Sequence, residues 1–90
     1  MLPYGDTVTT GSSILSARSL PRLGSAIRRL RTARGLTQAE LAAAAGVSRQ
    51  WVVAVESGAK HGLEVGRLMQ LLDALDASLM VRDDRGADGA

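Results

Sequence analysis

The sequence predicts an all-α fold: four to five short helices bundled around one small core, with a short C-terminal strand. Three observations predict it. Apolar residues recur at helical spacing in two stretches: Leu23, Ile27 and Leu30, then Leu68, Leu71, Leu72 and Leu75. Between them, Thr37–Gly58 reads TQAELAAAAGVSRQWVVAVESG, two helical segments each opened by a hydroxyl residue and closed by a glycine. Finally, SLMVR at 78–82 breaks the helical period, is short and apolar, and reads as a strand.

Residues 1–19 are rich in Gly, Ser and Thr and have no sustained period, which predicts a flexible N-terminal arm. The first helix is expected from about Pro21, favoured in a first turn, to Ala33, with Gly35 just beyond its end. Leu23, Ile27 and Leu30 face inward; Arg22, Arg28 and Arg29 face outward. The second helix is expected at Gln38–Ala45. Thr37 caps it and Glu40 follows at capping-box spacing, while Ala42–Ala45 combine high helix propensity with side chains small enough for close crossing. Gly46 supplies the turn. The third helix is expected at Arg49–Ser57, with Ser48 as its cap and Gly58 as its stop. A loop carrying Lys60 and His61 leads to a fourth helix over about Leu63–Leu75.

A lone strand at 77–82 leaves its backbone groups unpaired. Its natural partner is the same strand of a second copy across a two-fold axis, with Leu79 and Val81 on one side and Met80 on the other. The alternative is that the segment continues the fourth helix or packs as coil. Residues 20–76 thus form the domain, 77–82 a dimerisation strand and 83–90 a polar, disordered tail.

Ninety residues allow one domain with a small core. Without cysteine there are no disulfides or thiolate metal sites, and one histidine builds no zinc site, so no metal and no cofactor is expected. No apolar run approaches a membrane span and no leader pattern opens the chain, which predicts a soluble cytoplasmic protein. No nucleophile–base pair and no phosphate-cradling glycine loop is present, which argues against an enzyme. The net charge of +2 is unevenly spread. Residues 1–60 hold eight basic and three acidic side chains, net +5; residues 61–90 hold three and six, net −3. One basic face and one acidic end suit a domain that meets phosphate on one side.

Leu41, Val47, Val52 and Val55 are spaced to meet in one core, which leaves Arg49, Gln50, Val53 and Ala54 on the other face of the third helix. This is the pattern of a helix-turn-helix, whose second helix enters the DNA major groove. Arg pairs with guanine O6/N7 and Gln with adenine N6/N7, while Val and Ala meet thymine methyl groups. Ser48, Arg49, Gln50, Val53 and Ala54 are therefore the candidate base readers. Gln38 at a helix N-terminus, Lys60 in the following loop and Arg22 are candidate phosphate contacts. Trp51 lies off the Val52/Val55 stripe and either packs on the second helix or stacks near the sugar-phosphate backbone.

Over roughly residues 20–82 the chain resembles the lambda repressor-like, Xre-family DNA-binding domains. Gln38, the small Ala42, the turn Gly46, the apolar Val52 and Val55, and the ending Glu56-Ser57-Gly58 all match the family's pattern. The resemblance implies that Gln38 grips the DNA backbone and that Arg31 and Glu56 form a partly buried ion pair. The ending ESGAKHGLEVGRLMQLLDALDASLMVRD is most similar to HipB-type antitoxins. That implies a homodimer on a palindromic operator in double-stranded DNA, with a HipA-type serine/threonine kinase toxin as partner. The alternative is a free-standing Xre-family regulator.

The charge distribution yields one expectation in solution. If the basic half lies along duplex DNA, log affinity falls steeply with log salt concentration as counterions are released. A salt titration that is flat would remove DNA as the main partner.

Overall fold

A computed structural model describes residues 14–86. Among these residues four α-helices follow one another: α1 (Leu20–Ala33), α2 (Gln38–Ala45), α3 (Arg49–Ser57) and α4 (Val65–Ala74), with a 3-10 turn at Asp84–Gly86. The expected bounds of α2 and α3 are reproduced. α1 begins a residue early because Ser19 caps it, its hydroxyl accepting the Arg22 backbone N–H at 3.2 Å. α4 begins two residues late. Gly62 turns the chain at φ +68, and Leu63 packs on the core from outside the helix.

Helix starts and stops are local chemistry. Thr37 and Glu40 form a full capping box, with Glu40 N–H to Thr37 Oγ1 at 3.0 Å and Thr37 N–H to Glu40 Oε1 at 2.8 Å. All four helices end alike, with a backbone N–H returning to a carbonyl five residues back. The bonds are Leu36 to Arg31 (3.1 Å), Val47 to Ala42 (3.0 Å), Ala59 to Ala54 (3.0 Å) and Ala77 to Leu72 (2.8 Å). This closure needs a left-handed residue at the bend. Gly35, Gly46 and Gly58 supply it for α1–α3; at α4 it is Asp76, φ +55, one of the few side-chain types that tolerate the conformation.

α1 packs on α3, and α2 packs on both α3 and α4. The core they enclose holds Ile27 from α1, Leu41, Ala42 and Ala45 from α2, Trp51, Val52 and Val55 from α3, and Leu68, Leu71 and Leu72 from α4, with Leu75 beside them. Leu23, Leu30 and Val47 pack against it half-buried. The apolar stripes read from the sequence are therefore the ones that meet. No helix among the described residues is long and apolar enough to cross a membrane.

The C-terminal end of the described residues differs from expectation. The strand at 77–82 is not formed: no strand occurs among the described residues, and Ser78–Arg82 make no backbone hydrogen bond there. A strand exists only through its ladder to a neighbour, and the described residues of this single chain supply none. Residues 83–86 of the expected disordered tail are instead held in a turn, with Arg85 N–H on Asp83 Oδ1 at 3.0 Å and Asp84 paired to Arg82 and Arg18. The flexible arm expected over 1–19 lies outside the described residues as far as residue 13; residues 14–19 lead irregularly into α1.

α1 and α3 touch backbone to backbone at Gly24. A Cβ there would collide with the carbonyl oxygens of Val55 and Glu56. Gly24→Ala should push the helices apart and destabilise the domain by about 1–3 kcal/mol. Gly66, with open space around it, is the control: Gly66→Ala should stabilise slightly, by about 0.5 kcal/mol. Urea denaturation checks both, and an unchanged midpoint for Gly24→Ala would show that the contact relaxes without strain.

Candidate nucleic-acid interface

The interface is built on the first turns of α3. Ser48 stands before the helix in extended backbone, and its Oγ accepts the Trp51 N–H at 3.1 Å. That bond pins the helix start where Arg49 and Gln50 project. Trp51, Val52 and Val55 are buried; Ser48, Arg49, Gln50 and Val53 are exposed, and Ala54 is half-buried. Four of the five candidate base readers thus share the open side of the helix, and Ala54 sits at its edge.

Three ion pairs occur among the described residues: Arg18–Asp84, Arg31–Glu56 and Arg82–Asp84. Arg22, Arg49 and Lys60 therefore carry unpaired positive charge there. Lys60 shares a shallow crevice with Leu20, Leu23, Val55, Gly58 and Leu63, which sets it beside the first turn of α1. The Arg22 side chain lies on the outer flank of that turn, in an open groove with Ile14, Leu15 and Arg29.

Gln38 is placed differently from the simple expectation. Its Nε2 donates to Glu56 Oε1 at 3.1 Å, so the side chain is engaged inside the domain. What it offers outward is the first turn of α2, whose N–H groups have no intrahelical acceptor.

The Arg31–Glu56 pair is present. Arg31 Nε donates to Glu56 Oε2 at 2.6 Å and Nη2 to Oε1 at 3.1 Å, while Nη1 reaches the Leu36 carbonyl at 2.8 Å. The side chains are only 11% and 4% exposed, so water screens the pair little. The hydrogen bonds to Glu56 raise the Arg31 pKa, burial opposes the rise and the Glu56 charge adds to it. A raised pKa contributes stability below the group's ordinary value and loses it only above, so Arg31 stays charged throughout the neutral range. No buried side-chain polar atom among the described residues lacks a partner.

Of its two expected roles, Trp51 takes packing: it is core, 5% exposed. It is not off the apolar stripe, since it stands four residues before Val55 and so shares its face. One feature escaped sequence reasoning: the Trp51 indole Nε1–H donates to Glu64 Oε1 at 3.3 Å. That bond, then a backbone hydrogen bond at Glu64 and the charges of Lys60 and Arg67, holds the Glu64 carboxyl below its ordinary range. No local pattern links positions 51 and 64. Asp84 is likewise lowered, first by its hydrogen bond from Arg82, but these groups are largely exposed and solvent screens them. Leu79, Met80 and Val81, the expected dimerisation residues, are 46%, 69% and 95% exposed, as are Val65 (59%) and Met69 (49%) on α4.

Comparison with known proteins gives three kinds of result. A family model described as a helix-turn-helix domain matches residues 22–84. No curated protein matches. Among solved structures, the restriction-modification controller protein C.AhdI from Aeromonas hydrophila is 37% identical with TM-score 0.62, over 66% of this chain and 84% of that one. The clp gene regulator ClgR from C. glutamicum is also 37% identical, TM-score 0.60, over 63% and 72%. HipB, in a complex with an O2 20mer, is 25% identical with TM-score 0.70, over 80% of this chain and 99% of its own.

The ion pair carries a stability prediction. Arg31→Ala strands Glu56 with one remaining donor in a nearly closed site and should destabilise the domain by about 3 kcal/mol. A double-mutant cycle with Glu56→Ala should show coupling above about 1 kcal/mol. Additive losses would mean that the two side chains act separately.

Proposed function

The chain belongs to the helix-turn-helix domain family, as an Xre-like DNA-binding protein, and from that premise we propose that it is a sequence-specific transcriptional repressor. It binds a palindromic operator as a homodimer in the cytoplasm and acts as the antitoxin of a HipA/HipB-type pair. One observation carries the DNA-reading part: Arg49 and Gln50 stand exposed and unpaired behind the Ser48 cap, on a helix whose other face is buried. In the groove, Arg49 and Gln50 supply bidentate contacts to purines, with Val53 and Ala54 against thymine methyl groups. Lys60, Arg22 and the N-terminus of α2 at Gln38 face phosphate and set the register.

The antitoxin part is supported by extent. HipB aligns over 99% of its own length with TM-score 0.70, more than the controller protein or the clp regulator. The kinase partner is proposed on that likeness alone. A second reading, a free-standing regulator with no toxin, is supported by the higher 37% identity to those two proteins. Recovery of the chain from its native host separates them: a bound serine/threonine kinase favours the antitoxin, and its absence favours the lone regulator.

Arg49→Ala should lose about 1–3 kcal/mol on the specific duplex and much less on random DNA, whereas Lys60→Ala should weaken all duplexes alike. Binding isotherms on both duplexes check this; equal losses for Arg49→Ala would reduce Arg49 to a phosphate contact.

The dimer rests on the exposed apolar run Leu79–Val81, which pairs with its copy and sets two α3 helices about one DNA turn, roughly 34 Å, apart. Met80→Pro removes a ladder donor and should shift sedimentation from dimer toward monomer. A wild-type monomer at micromolar concentration, or a fully dimeric Met80→Pro, would rule the arrangement out.

A further inference from the structure

Two ties hold α3 from outside its own sequence neighbourhood. Near its C-terminal end, the Glu56 carboxylate and the Gly24 contact fix it against α1 and α2. Near its N-terminal end, the tie is the hydrogen bond from the Trp51 indole to Glu64, at the start of α4. α3 packs mainly on α1 and α2, and α4 on α2, so this bond links two helices that otherwise meet little.

We infer that Glu64 is a positioning residue for DNA reading: through Trp51 it sets the rotation of the first turn of α3, and hence where Arg49 and Gln50 reach. The inference rests on the base-reading role proposed above. Trp51 is gripped at both N–H groups, the backbone one by Ser48 and the indole one by Glu64. Arg49 and Gln50 are the two residues between Ser48 and that anchor. Side-chain tips stand ~6 Å from a helix axis, so a roll of about 10° moves them by about 1 Å. A bidentate contact does not survive such a shift with both hydrogen bonds intact. Glu64 also forgoes the usual work of its position. It is the N-cap residue of α4, yet its side chain makes no capping hydrogen bond. The bond to Trp51 lowers the pKa of that carboxylate, with a backbone hydrogen bond at Glu64 and the charges of Lys60 and Arg67 assisting.

The test compares Glu64→Ala, Glu64→Gln, Trp51→Phe and the Glu64→Ala/Trp51→Phe double variant with wild type. Glutamine keeps an acceptor oxygen and removes the charge. Binding is measured on a duplex that the wild-type protein selects from a randomised pool and on a random-sequence duplex, below each variant's melting transition. Glu64→Ala should weaken the selected duplex by between about twofold and tenfold and leave the random one unchanged. Glu64→Gln should behave as wild type, and the double variant should be no worse than the worse single one. Independently of DNA, the indole N–H resonance of the single tryptophan should move in Glu64→Ala and hold in Glu64→Gln. An unmoved indole resonance overturns the inference, as do equal losses on both duplexes, or Ala and Gln variants that behave alike, the mark of a charge effect. A wild type that selects no duplex overturns the proposed function and this inference together. Selection by wild type with Glu64→Ala unimpaired overturns the inference alone.

Discussion

The Glu56 carboxylate accepts two hydrogen bonds from Arg31 in α1 and one from Gln38 in α2, and the placement of α3 depends on all three. Glu56 is next to last in α3, so the network grips that helix at its far end and leaves free the end that carries Arg49 and Gln50. Burying a carboxylate is unfavourable unless its lone pairs are filled, which makes the arrangement discriminating: any other register of the three helices leaves a charge unpaired at low exposure. Arg31 extends the same network to the Leu36 carbonyl and so ties down the turn between α1 and α2.

That carboxylate is reached only because the helices come close. Gly24 admits the Val55 and Glu56 carbonyls against α1, and Pro21 lies against the bend at Gly58, where a Cβ would stand 2.7 Å from the proline Cα. Helices of eight to ten residues, such as α2, α3 and α4, are marginal in isolation. Their caps and shared terminal closure define where each begins and ends. Burial of Leu41, Val52 and Leu71, each fully enclosed, makes them persist. Rigidity of the short α3 is therefore a property of the whole bundle, and it is what the proposed base reading requires of its scaffold.

The surface divides into two kinds. Around α3 and the start of α1 it carries the unpaired cations Arg22, Arg49 and Lys60. On α4 and the segment after it, Val65, Met69, Leu79, Met80 and Val81 leave apolar area open to solvent. Large apolar side chains left in water mark a surface that gains by being covered. The proposed dimer uses that second surface and leaves the first for DNA.

Much of the fold was legible along the chain because the relevant forces act over three to five residues. The hydroxyl caps at Thr37 and Ser48, the capping box with Glu40 and the glycine bends at 46 and 58 operate within one turn of helix, and the bounds of α2 and α3 follow from them. The apolar stripes of α1 and α4 show which face each helix buries. The exposed pair Arg49 and Gln50 follows from the same periodicity. The Arg31–Glu56 pair, 25 positions apart, was expected only through family resemblance, since no local rule joins those positions. Most of what the chain did not reveal lies in contacts between distant segments. Gly24 looks like a helix-weakening residue until the α3 carbonyls arrive against it. Gln38 looks free until Glu56 takes its amide. Asp76 carries no glycine signature, yet takes a glycine's backbone conformation at the end of α4. Glu64 and Trp51 meet across 13 positions. The segment at 77–82 has strand character in its composition but no strand without a partner. Composition and period set which backbone each segment prefers and which side it hides. Which polar groups then find one another depends on the angles and distances between helices, and those arise only when the buried faces pack.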